Sequence, residues 1–129
     1  MLRALLALVL LTCAAGAVST AVSQDHGAHE TQHTDSVVTT VAGSVRAVAT
    51  RQFAYRANNS VFAMSVDSLD IAISSAIEVL MRSATASGFA VVARSKLTGA
   101  ECTFFHGTAE RPRSHAVTPD QVHCTDGNL

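Results

Sequence analysis

Residues 77–105 read IEVLMRSATASGFAVVARSKLTGAECTFF, and this stretch decides the fold. Ile77, Val79 and Met81 alternate with Glu78, Leu80 and Arg82. Phe89, Val91 and Ala93 then alternate with Ala90, Val92 and Arg94, and Cys102 and Phe104 with Thr103 and Phe105. A period of two marks a strand, because successive side chains leave opposite faces of the chain. Ala86-Ser87-Gly88 and Leu97-Thr98-Gly99 separate the runs with turn chemistry. Short runs joined by short turns predict an antiparallel meander.

Upstream the period changes. Val37, Val38, Val41, Val45, Val48 and Tyr55 fall within about 100° of arc on a helix. Ala42, Ala49 and Phe53 widen that stripe, while Arg46, Thr50 and Arg51 lie away from it. Asp35 or Ser36 offers a capping oxygen at one end, and Asn58-Asn59-Ser60 a turn at the other. The spacing therefore predicts an amphipathic helix over Asp35–Ala57, roughly 35 Å long. Its valines and Gly43 give it low intrinsic propensity, so it needs a surface to pack on. The meander supplies one, and the pair defines an α+β domain over 35–129. Its form is one long amphipathic helix on a three- to four-stranded antiparallel meander, with a C-terminal disulfide loop. Between helix and meander, Asp67-Ser68-Leu69-Asp70 carries local capping oxygens and predicts a turn or one short helical turn.

The front of the chain reads as an export address. Met1-Leu2-Arg3 precedes an uncharged apolar run from Ala4 to Leu11, and small residues follow through Ser23. This is the order of a signal peptide over 1–23, cleaved before Gln24. Two other fates fit the same residues: lipidation of Cys13, and retention of residues 4–23 as an anchor. Each places the rest of the chain outside the cytoplasm, periplasmic or secreted. Of three cysteines, Cys13 leaves with the signal, so Cys102 and Cys124 form the even pair that an oxidising compartment bridges.

Composition excludes some functions. The chain has 129 residues, 48% of them apolar, with 9 Lys+Arg against 10 Asp+Glu. A net charge of −1 carries no electrostatic footprint for nucleic acid. Nothing matches a phosphate-binding loop, a dinucleotide fingerprint, a zinc-protease helix or a nucleophile elbow. The expectation is a protein that is not an enzyme and holds no cofactor.

Residues 24–34 (QDHGAHETQHT) lack periodic apolar positions and read as a polar linker. His26, His29 and His33 give H-x2-H-x3-H, a spacing that places imidazoles on one side of a helix, where they could hold Zn or Cu. A periplasmic metal-binding protein using this segment is the alternative function. His106, His115 and His123, with Asp120 and Asp126, form a second set that reads more simply as exposed loop residues. Glu78 and Glu101 sit on strands and could face each other across a solvated sheet face. Arg111 and Arg113 beside Glu110 make a mixed-charge patch too small for a polyanion.

The stretch ATRQFAYRANNSVFAMSVDSL over 49–69 resembles a run found in type IV pilins and pseudopilins. Ala49, Thr50, Gln52, Ala54, Tyr55, Asn59 and Leu69 match it, with Phe62 at an aromatic position and Ser60 where the family has glycine. Gly88-Phe89-Ala90, Cys102-Thr103-Phe104-Phe105-His106-Gly107 and Cys124 resemble later parts of the same domain. The prepilin-peptidase junction is lacking, and no acidic residue precedes Asp25. The resemblance covers about Asp35 to Asp126. It implies a helix-on-meander fold and a role through surface contacts in assembly, adhesion or secretion. The partners it implies are other pilin-like or secretion-system proteins.

Overall fold

A computed structural model describes the backbone over residues 26–127 and the side chains from Asp35 onward. The expected signal peptide and Cys13 lie outside the described residues. One helix, α1 (His26–Asn59), is followed by a short 3-10 turn (Val66–Leu69) and four strands. These are β1 (Ile77–Ala84), β2 (Gly88–Ser95), β3 (Glu101–Gly107) and β4 (His123–Thr125). The strands lie in the order β1-β2-β3-β4, each pair antiparallel. The expected α+β architecture is present, with four strands.

α1 begins earlier than its sequence suggests. Residues 26–34, read as a linker, have helical backbone, so Asp35 is an interior residue instead of a cap. Its carbonyl accepts the Thr39 hydroxyl at 2.8 Å. At about 1.5 Å per residue the 34-residue helix is ~51 Å long. The far end stops where expected: Ser60 takes φ 63°, and its amide still donates to the Arg56 carbonyl at 2.8 Å. The predicted short helical turn is also present, with Ser65 Oγ accepting from the Asp67 amide at 3.2 Å.

The strand register sorts residues as their alternation implies. Val91 pairs with Met81 on one side and Phe104 on the other, and Ala93 with Val79 and Cys102. These residues face α1, where Val41, Val45, Val48, Phe89 and Val91 are all fully buried. Hydrophobic burial of this kind contributes roughly 25 cal/mol per Å² of apolar surface.

A polar residue completes the same helix stripe. Gln52 is fully buried. Its Nε2 donates to the Ala63 carbonyl and its Oε1 accepts from the Ala63 amide, both at 2.7 Å. The side-chain amide so pairs with one residue of the connecting segment as a neighbouring strand would. The stripe continues to Arg56, whose Nε donates to the Ala86 carbonyl at 2.9 Å while the guanidinium lies over the Phe62 ring.

The β1–β2 turn is closed by Thr85, whose amide donates to the Gly88 carbonyl at 2.9 Å and whose Oγ1 accepts from the Ser87 and Gly88 amides at 3.2 Å. Gly88 pairs with Gly107 across the sheet. A Cβ on Gly107, at φ 63°, would come within 2.0 Å of the Ser87 carbonyl oxygen, so only glycine lets the two segments approach this closely.

The other sheet face is covered over part of β2 and β3, while Glu78, Leu80 and Arg94 on it stay exposed. The segment 108–122 folds over it, and Ala116 packs on Ala90 and Phe105. Thr103 and Val92, on the same face, are buried too. Glu78 is exposed and Glu101 largely covered, and the two are not directly opposed. Arg94 stands between them in the register, and Arg113 donates to Glu101 through Nε at 2.9 Å. This ion pair pins the covering segment to β3.

Cys102 and Cys124 are direct cross-strand partners, and their sulfurs are bonded at 2.09 Å. Cys102 is buried beneath α1, its sulfur 3.7 Å from the Val38 carbonyl oxygen, while Cys124 is exposed. The bond joins residues 22 positions apart in sequence. In the chain-entropy model a loop of that length contributes about 3 kcal/mol. Replacing both cysteines by alanine is expected to lower stability by about that much, read as the urea midpoint. An unchanged midpoint would refute it.

Candidate functional site

The described residues offer no deep catalytic cleft. A shallow, open groove of about 500 Å³ lies between one flank of α1 and the end of β3. Arg46, Thr50 and Phe53 form its helical wall; Phe104, His106 and Asp120 form the other. The helical residues recur every three or four positions, so they line one flank of α1 beside the buried stripe. This explains why Arg46 and Thr50 lie off the apolar arc and Phe53 at its margin.

His106 leaves β3 on the helix-facing side. Its ring meets Phe53 edge-on at 4.8 Å and lies 5.7 Å from Phe62 and 5.9 Å from Phe89. Its Nδ1 hydrogen-bonds Asp120 Oδ1. Asp120 has φ 61°, a left-handed conformation that aspartate tolerates better than most residues. Its amide donates to the Phe105 carbonyl at 2.9 Å, which fixes it beside the strand. A carboxylate held against one imidazole nitrogen orients the ring. In the groove this gives a rigid aromatic wall ending in an exposed carboxylate.

The second histidine set does not converge. His123 Nε2 lies 3.2 Å from the Thr118 amide nitrogen and 3.1 Å from its carbonyl oxygen, closing the tail on itself. His115 Nε2 is buried without a hydrogen-bond partner among the described residues. Asp120 joins His106 alone. Among the described residues no cluster of three or more His, Cys, Asp or Glu could hold a metal ion. The side chains of His26, His29 and His33 lie outside the described residues, though the backbone that carries them is helical.

The patch around Glu110 is also divided. Arg113 turns inward to Glu101, whereas Arg111 joins Arg82 and Pro112 around a separate hollow of about 330 Å³. Two residues matter most here. Gln52 is legible as a polar side chain in the middle of the stripe, four residues after Val48 and three before Tyr55. The sequence sets Asp120 with His106 in the second histidine group, and the structure pairs these two.

Among the described residues no helix is long and apolar enough to cross a membrane. Comparison with protein-family models gives no match, and comparison with curated proteins gives none either.

Proposed function

We propose that this chain is a non-enzymatic, extracytoplasmic, pilin-like domain that acts through surface contacts, as an assembly, adhesion or secretion-system component. One observation carries the reading: a 34-residue helix packed on a four-stranded meander whose last strand is tied by a disulfide. This is the arrangement that the resemblance of residues 49–69 implies. The disulfide suits an oxidising compartment, and the export address at residues 1–23 is the route to it. The groove supports contact over catalysis. It is open, aromatic and flanked by charge, which is the composition of protein contact surfaces.

The test is a photo-reactive residue placed at Thr50, an exposed position on the groove wall. In the native host, irradiation is expected to give adducts heavier than the chain, absent when the residue is moved to exposed Lys96. No adduct at Thr50 would overturn the reading.

A further inference from the structure

We propose that the groove between α1 and β3 is a contact between two copies of this chain, related by a two-fold axis. This deepens the surface-contact reading by naming the partner, and it rests on that reading. Three observations carry it. First, the two walls bear opposite charge: Arg46 on the helix and Asp120 beside β3. Second, neither charge is satisfied by the other within one chain. Arg46 is exposed and makes no ion pair among the described residues, and Asp120, more than half exposed, uses only Oδ1 on His106. Third, a large ring stands between them. Phe53 is 43% exposed although its neighbours Phe62 and Phe89 are buried.

A surface with this layout is its own complement. A two-fold operation brings each patch against itself, so residue i of one copy meets residue j of the other and j meets i. Arg46 of each copy then meets Asp120 of the other, and the Phe53 rings cover each other at the centre. A partner of one charge sign would leave one wall facing like charge, which opposes association. An uncharged apolar partner would bury both charges unpaired. The self-contact compensates both walls at once. Arg and aromatic residues are also those that dominate contact energies.

Charge reversal separates this arrangement from any other. The wild-type chain, with its disulfide formed, is expected to sediment as a concentration-dependent dimer. Arg46→Glu places Glu against Asp120, and Asp120→Arg places Arg against Arg46. Each variant alone is expected to lose at least about tenfold in self-affinity. Mixed one to one, they restore both pairs across the interface, so a heterodimer is expected where neither variant self-associates. Arg46→Glu alters an exposed, unpaired position and so leaves the fold intact. If Asp120→Arg fails to fold, Thr50→Arg fills the same groove from the helix and is expected to give monomer. A wild type that remains monomeric at about 1 mM, where even millimolar affinity populates dimer, overturns the proposal. So does a dimer that Arg46→Glu and Thr50→Arg leave unchanged, or a mixture of folded charge variants without a heterodimer. A monomeric wild type accompanied by Thr50 adducts to other chains would sink self-association and leave the contact reading standing.

Discussion

Replacing Gln52 by alanine is expected to lower the thermal midpoint by about 15 °C or more. The side chain is fully buried and pairs both ways with the Ala63 backbone at 2.7 Å. Truncation removes the acceptor of the Ala63 N–H and the donor to its C=O. A buried unsatisfied polar group costs roughly 1–3 kcal/mol. Two of them, with the space vacated, sum to about 4 kcal/mol. In a domain of this size each kcal/mol is worth at least about 4 °C. Gln52→Glu tests the geometry more sharply: it keeps the shape and the acceptor for the Ala63 amide, but sets a second oxygen against the Ala63 carbonyl. Circular dichroism melts of the two variants beside Thr50→Ala give the comparison. Thr50 is exposed, and its replacement is expected to shift the melt little. A loss below about 4 °C for Gln52→Ala would show that the clamp contributes nothing beyond ordinary packing.

Phe89→Ala is the other large loss expected, about 4 kcal/mol. Phe89 is fully buried and stands at the centre of the aromatic cluster. Its ring stacks on Phe104 at 5.5 Å, tilts against Phe62 at 4.8 Å and meets Phe53 edge-on at 5.8 Å. Removing it opens a cavity that the flanking strands cannot close, because Val91 beside it is itself locked between Met81 and Phe104. Phe89→Leu keeps most of the volume and is expected to cost less than half as much. Urea unfolding measures both, and equal losses would mean that the ring's shape and stacking matter little. The alanine variant also removes support from His106, so the His106–Asp120 pair is expected to loosen with it.

The strands were legible because their burial is periodic. Each run alternates between the helix face and the far face, and the register follows that alternation residue by residue. The helix stripe was legible for the same reason, except at Gln52, where a polar side chain occupies a core position. Hydropathy alone passes over such a residue; its place four residues after Val48 is the signal that marks it. The start of α1 was misplaced because residues 26–34 have no apolar period, and helical backbone does not require one. The covering segment 108–122 is legible as a disulfide loop, but its contacts are not. It is held by single contacts of long sequence separation, Arg113 on Glu101 and Asp120 on Phe105, and by one small residue, Ala116. No local pattern encodes contacts of that kind. The groove shares this origin, since its two walls come from residues near 50 and near 106–120.

The bond between Cys102 and Cys124 also has a mechanical meaning. Tension applied between the helix and the end of β4 runs into a covalent shortcut. The 22 positions it spans, about 75 Å of extended chain, cannot lengthen however hard the molecule is pulled. One end of the shortcut is buried beneath the helix and the other is at the surface. A load arriving from outside is therefore delivered directly into the centre of the sheet, past the covering segment, which stays folded over Phe105 with Asp120 and His106 still in place. Tension that enters through β4 therefore passes to β3 without running along the covering segment.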